Sequence, residues 1–210
     1  MSYKIIDINS VYIDESASIG NGVIIHPNVV ISGNTIIGDN TIIDSNSVIK
    51  DSVIGDNNYI LSSIILSGNV IGDNNKIGPF THIRENNIIG DNNTIGNYVE
   101  IKNSNIGSNN NIRHLAYVGD VDMGDNVNIG AGVIFANYHP KKGEKYKSIV
   151  EHGVKIGSNC TIVAPVLIGR GSMISAGSTI KNDISDNSLY ISLEESVYKE
   201  GYYKGDKNDS

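Results

Sequence analysis

The sequence predicts an all-β solenoid of stacked parallel coils, and three observations predict it. The string Ile-Gly-Asp-Asn begins at Ile37, Ile54, Ile71 and Ile89, and related strings begin at Ile106 and Met123, so that one long period recurs with a slip of a single position. Inside that period an aliphatic residue recurs at every sixth position, through Ile19, Ile25, Ile31, Ile37, Ile43 and Ile49 and again through Ile71, Ile77, Ile83, Ile89, Ile95 and Ile101. The chain also combines 28 Asn and 23 Gly with abundant Ile, which calls for many turns around one continuous apolar core.

A six-residue step is neither helical nor a plain hairpin alternation. It fits coils with three short flat faces, each turning one aliphatic residue inward. Six is even, so the inward orientation is kept from face to face. Gly, Asn and Asp at the corners tolerate positive φ. Successive coils pair as parallel strands about 4.8 Å apart. Each filled inward Ile or Val contributes on the order of 1.5–3 kcal/mol, and only the stack, not the single coil, buries a core. The pattern resembles the hexapeptide-repeat, left-handed parallel β-helix family; the hand is implied by that resemblance, not by the period.

Taken in order, residues 1–75 read as coils without an assigned site. Residues 76–193 continue them through Ile106, Ile112 and Val118 and later through Ile156, Ile162, Ile168, Ile174 and Ile180. Between about Asn137 and Val154 the six-residue pattern breaks, and residues 138–153 read as a loop extruded from the solenoid. Interruptions of this kind often carry function on a rigid scaffold. After Ile180 the pattern stops, and residues 194–210 read as a short helix or a frayed tail.

Composition narrows the function. A net charge of −7 argues against a nucleic-acid partner, which wants clustered Lys and Arg. No apolar run approaches the roughly 20 residues of a membrane span, and the first residues lack a secretory apolar core. The single Cys160 excludes an intrachain disulfide and a multi-cysteine zinc site. The expectation is a cytoplasmic protein with no bound metal.

From Lys76 to about Gly201, well over half of the chain, a narrower resemblance appears. Ile77-Gly78-Pro79-Phe80-Thr81-His82-Ile83-Arg84 is followed by Gly96-Asn97-Tyr98-Val99-Glu100-Ile101-Lys102. Next come His114-Leu115-Ala116-Tyr117-Val118-Gly119-Asp120, Asn128-Ile129-Gly130-Ala131-Gly132, Asn137-Tyr138 and Val163-Ala164-Pro165. In this order the stretches resemble the C-terminal acetyltransferase domain of the bacterial bifunctional enzyme that makes UDP-N-acetylglucosamine. The family's nucleotidyltransferase domain has no counterpart among these 210 residues.

The resemblance implies a homotrimer with sites between subunits. It implies transfer of acetyl from acetyl-CoA to an amino-sugar 1-phosphate, with glucosamine-1-phosphate as the favoured acceptor. The amine must lose a proton, and a base working near neutral pH is commonly His. Of His26, His82, His114, His139 and His152, the motif selects His114. It assigns the substrate phosphate to Arg84, Lys102 and Tyr117, and the sugar to Asn128. Arg84 and Lys102 lie one coil period apart, so independently of the family a regular solenoid stacks them on one face beside a shared anion. For acetyl-CoA the resemblance gives Ala131, Asn137, Tyr138, Ser158 and Ala176. Asn137 either orients the amine or holds the thioester carbonyl. Lys141, Lys142, Lys145 and Lys147 make the loop basic, and Lys145 or Lys147 corresponds to a family loop lysine. Cys160 reads as a small packing residue.

Three departures stand out. His139-Pro140 follows Asn137-Tyr138, where the family often has an acidic residue and Gly. The loop is slightly longer than the family's. Where the family has an Arg that helps bind CoA, the chain reads Ile191-Ser192-Leu193-Glu194. Other readings are acetylation of a different amino sugar, such as galactosamine-1-phosphate or a nucleotide-linked sugar, and a non-catalytic sugar-phosphate-binding β-helix. A zinc-dependent β-helix of the carbonic anhydrase kind wants three convergent His, and the His spacings of 56, 32, 25 and 13 lack that signature.

Overall fold

The computed structural model describes residues 2–192. The chain winds into three parallel sheets of 11, 10 and 9 strands that form the faces of a left-handed β-helix of about 10 coils. Sheet A opens with Lys4–Ile5, sheet B with Tyr12–Ile13 and sheet C with Ser18–Ile19, and the chain visits A, B and C in turn. Strands of two to four residues alternate outward and inward, so Ile25, Ile43, Ile60, Ile77, Ile95 and Ile112 line up on sheet A with almost no exposure. Among the described residues there is no helix, and hence none long and apolar enough to cross a membrane.

The one-position slip in the coil period has a local cause. At the corner between sheets B and C the inward residues step by five, as in Ile49 to Ile54, Leu66 to Ile71, Ile101 to Ile106 and Val118 to Met123; Ile83 to Ile89 instead steps by six there. The Ile-Gly-Asp-Asn string is the corner between sheets C and A. Gly38 lets Asp56 of the next coil come so close that a Cβ would collide with its carboxylate, and that carboxylate accepts the N–H of Asp39 at 2.7 Å. The following Asn40 takes φ of 55°, which Asn tolerates better than other side chains.

Asn is abundant for two reasons. Twelve Asn, from Asn28 to Asn187, occupy left-handed corners. Others fill the prism: Asn58, Asn75, Asn93 and Asn110 stack inside one corner, each accepting a backbone N–H of the next coil at 2.7 or 2.8 Å. Buried amide oxygens are thereby paired along the axis, as burial of polar groups requires.

The extruded segment is shorter than the sequence pattern suggests. Tyr138–His139 and Glu144–Lys145 form an antiparallel hairpin, but Ser148–Val150 is already back in sheet C, paired with Val121–Met123. The reason is packing: Ser148 is 1% exposed and continues the buried file of Ser52, Asn69, Asn87, Ser104 and Val121, while Val150 points inward above Met123. The coil also continues past Ile180. Ile184 bridges to Ile168, and Leu189–Tyr190 pairs with Met173–Ile174. The expected helix or tail at 194–210 lies outside the described residues.

Candidate active site

Apart from Asn128, the residues selected from the sequence fall on or beside the two long edges that flank sheet B. On the edge between sheets A and B, His114 stands one coil above Asn97 in register. Ala131, Ser158 and Ala176 continue the same file. The N–H of Gly132 bonds to the carbonyl of His114, that of Asn159 to Ala131, and that of Gly177 to Ser158. Four of the expected residues therefore stand in single file, one coil apart, along a rigid edge. The file is narrow because the residues beside it are Gly. A Cβ on Gly130 would lie 2.5 Å from the Ser158 nitrogen, and one on Gly157 would lie 2.5 Å from that of Ala176. His114 is exposed, with Nδ1 3.2 Å from Asn97 Oδ1. The amide oxygen only accepts, so the ring proton belongs on Nδ1 and the Nε2 lone pair faces out. Asn128 lies on the outer surface of sheet A, paired with Asn111 and Lys155.

The other edge, between sheets B and C, gathers the cations. Arg84 and Lys102 follow Ile83 and Ile101, which are register partners, so the two stack as their spacing predicted. The hairpin brings Lys145 against Lys102. Contact with the Lys145 ammonium, then its charge, pushes the Lys102 amine below the ordinary lysine range, and the same contact holds Lys145 up. Arg84 Nη1 is 3.2 Å from Glu100 Oε1. Glu100 is paired to Arg84 and the Asp120 carboxylate acts on both lysines, so three cations share two carboxylates and the cluster retains an excess of positive charge that attracts a further anion. Tyr117 projects from sheet B onto this edge, and its hydroxyl lies 3.3 Å from Asn137 Nδ2. Asn137 is 7% exposed and Tyr138, at the hairpin base, 57%.

The loop lysines separate by role. Lys145 joins the cation cluster, whereas Lys147 binds Asp122 at 2.8 Å and Lys142 sits 5.7 Å over the Tyr146 ring. The remaining histidines lie elsewhere. His26 is 3.7 Å from Asp44 in the N-terminal coils, His152 is 3.3 Å from Asp125, and His139 meets Tyr146 edge-on. His82 is exposed on sheet B, in register with Glu100. Cys160 is fully buried and its thiol is pushed up by desolvation, so it packs rather than reacts. Leu193 lies outside the described residues.

Within the single chain, then, the structure unites Arg84, Lys102, Tyr117, Asn137 and Lys145 on one edge, and His114, Ala131, Ser158 and Ala176 on the other. It does not bring the two groups together. His114 and Gly119, the register partner of Lys102, are separated by the width of sheet B, roughly 15 Å of chain. Sequence reasoning missed Asn97, Asn103 and Asp120. Their signal was the coil period itself: Asn97 precedes His114 by one period, and Asn103, Asp120 and Asn137 follow one another at the same interval.

A third feature borders the first edge. Phe80, Tyr98 and Leu115 occupy consecutive left-handed corner positions at φ of 54°, 57° and 49°, and all three are more than half exposed. The Phe80 and Tyr98 rings stack at 5.5 Å. Bulky residues in this backbone region are costly, so an apolar ridge is maintained here against local preference.

The comparisons with known proteins agree with the architecture. A model of the bacterial transferase hexapeptide repeat matches residues 70–103 and 147–182, and a model of the GMPPB C-terminal domain matches residues 7–84. The chain is 46% identical to a bifunctional protein GlmU of Caldicellulosiruptor saccharolyticus, over 95% of this chain and 42% of that one. It is 44% identical to the corresponding protein of Clostridioides difficile, over 98% of this chain and 44% of that one. It thus spans under half the length of these relatives. Among solved structures, the UDP-N-acetylglucosamine acyltransferase of Francisella novicida superimposes with a TM-score of 0.59 at 22% identity, over 85% of this chain and 66% of that one, which speaks for the fold. Coils, corners and matches together show a left-handed β-helix built from hexapeptide repeats, similar over residues 70–103 and 147–182 to the repeats of bacterial hexapeptide transferases.

Proposed function

We propose that the protein is an N-acetyltransferase that moves acetyl from acetyl-CoA to the amine of an amino-sugar 1-phosphate, with glucosamine-1-phosphate as the acceptor. The observation that carries this reading is the file His114–Ala131–Ser158–Ala176. It offers an extended thioester arm a straight run of small side chains and backbone groups, ending at a base. The cation cluster of Arg84, Lys102 and Lys145, with the Tyr117 hydroxyl, suits a phosphate. The identity to GlmU proteins over nearly the whole chain supports the acceptor.

The two edges complete one site when two copies meet. His114, Asn128 and the small-residue file come from one protomer, and the phosphate grip, Asn137 and Tyr138 from its neighbour. The ridge of Phe80, Tyr98 and Leu115 is the seam, which explains why large apolar side chains are kept exposed there in the single chain. Three copies close the ring.

In the reaction the amine nitrogen attacks the thioester carbonyl carbon, and a C–N bond forms. Nε2 of His114 takes one amine proton. The tetrahedral species collapses, the C–S bond breaks, and the proton passes to the CoA thiolate. No covalent acyl-enzyme is involved. The test is CoA release on mixing the protein, acetyl-CoA and glucosamine-1-phosphate, followed with a thiol reagent. Turnover that His114→Ala abolishes supports the reading. Absence of turnover with any amino-sugar phosphate, despite tight sugar-phosphate binding, overturns it in favour of a binding protein.

A further inference from the structure

We infer that Asp120 is a positioning residue that fixes the Asn137 side chain with its oxygen toward the ligand, and so selects a nitrogen acceptor over an oxygen one. The inference rests on the acetyltransferase reading and specifies how its acceptor is chosen.

Asn103, Asp120 and Asn137 occupy successive coils at the corner between sheets B and C. Asp120 is 7% exposed and sits at φ of 56°. Its Oδ1 accepts from Asn103 Nδ2, and its Oδ2 accepts from Asn137 Nδ2 at 2.5 Å. An ionised carboxylate only accepts, so both flanking amides must turn their NH2 groups toward it. The second direction of Asn137 Nδ2 is taken by the Tyr117 hydroxyl at 3.3 Å. What remains is Oδ1, to which no described residue donates. Gly119 makes the cluster possible, since a Cβ there would strike the Tyr117 hydroxyl and lie 2.8 Å from Asn137 Nδ2.

The chemistry follows from counting protons. A neutral primary amine has two N–H groups and one lone pair. One N–H donates to Asn137 Oδ1, the other faces His114 Nε2, and the lone pair is left for the thioester carbon. A hydroxyl has one O–H and cannot serve both acceptors. Turned the other way, Asn137 would present NH2 to the amine and repel it. Of the two roles the sequence left open for Asn137, orienting the amine is therefore the one its fixed amide can perform; holding the thioester carbonyl needs a donor.

Asp120→Asn is the isosteric test, because Asn also tolerates the left-handed corner. Its single oxygen can face only one of the two amides, so the Asn137 orientation is released. The expected result is a loss of at least about tenfold in kcat/KM for glucosamine-1-phosphate. Binding of glucose-1-phosphate, which has the phosphate but no amine, is kept or tightened, because a negative charge is removed beside Lys102 and Lys145. The double variant Asn103→Asp/Asp120→Asn moves the carboxylate one coil down. The carboxylate introduced at position 103 then draws the new amide's NH2 toward itself and leaves that amide's oxygen facing Asn137, and activity returns to within about threefold of the starting protein. Full activity of a folded Asp120→Asn, or a folded double variant no better than the single one, overturns the inference. If Asp120→Asn does not fold, the double variant alone decides. Absence of transfer in the unmodified protein would instead refute the acetyltransferase reading.

Discussion

The N-terminal coils and the coils around His114 are built on the same inward residues, and they differ at the edge between sheets A and B. In the first region the left-handed corners hold Asn28, Asn46 and Ser63, small polar residues of which Asn adopts that backbone most readily; in the second the equivalent corners hold Phe80, Tyr98 and Leu115. One position earlier, Ser62 of the first region corresponds to Asn97 and His114 of the second. A repeat fold makes such a contrast informative. Every coil solves the same burial problem, so a residue that departs from the economical choice is answering a different demand. Here the departures cluster on the coils that also carry the cations.

The largest expected break in this comparison is His114→Ala. It should lower kcat by about a hundredfold or more, the usual contribution of a general base, with an unchanged melting temperature because the side chain is exposed. Ser62→Ala, its counterpart in the N-terminal coils, should leave kcat within about twofold. Next is Lys102→Met, with an expected rise in KM for the sugar phosphate of about ten- to a hundredfold and a smaller change in kcat, since a charged hydrogen bond is removed from binding.

A smaller effect sharpens the reading of the ridge. Tyr98→Asn should leave the single chain no less stable, because Asn relieves the left-handed corner, yet it should weaken self-association in sedimentation experiments. The reverse change in the other region, Asn46→Tyr, should cost about 1 kcal/mol in chemical denaturation and leave association alone. The smallest effect is a pH dependence. Lys102 is held below the ordinary lysine range by Lys145, so its positive charge, and with it glucose-1-phosphate affinity, is fully present at lower pH. Both should be lost, as pH rises, earlier than for an ordinary lysine. In Lys145→Met that loss should move to higher pH, while affinity at neutral pH falls because one cation is gone.

Much of the fold was legible because its rule is periodic. The Ile columns, the corners and the stacking of Arg84 on Lys102 all follow from spacing alone. The hand of the coil did not, since a six-residue step suits either hand. The re-entry at Ser148 was missed because the hexad resumes clearly only near Val154, and because the coil below places Val121, not a small polar residue, opposite Ser148; the small-polar and aliphatic pair that Ser148 and Val150 repeat is Ser104 and Ile106, two coils below. Of the site, His114 and the cations were readable as motifs. Asp120 was not, because a buried carboxylate between two amides looks like one more corner Asp until the coils are stacked. The division of the site between two edges was also invisible, since residues 114 and 117 are neighbours in sequence yet face different sides of a corner.

The most direct test of the central claim, that one site is made from two edges of different protomers, is complementation. His114→Ala and Lys102→Met are each prepared alone, then unfolded together in equal amounts and refolded into mixed assemblies. If the edges come from different copies, about a quarter of the sites regain both halves, and activity returns to about a quarter of the unmodified level. If mixed assemblies form and activity stays at the sum of the two single variants, each protomer carries its whole site and the account is wrong.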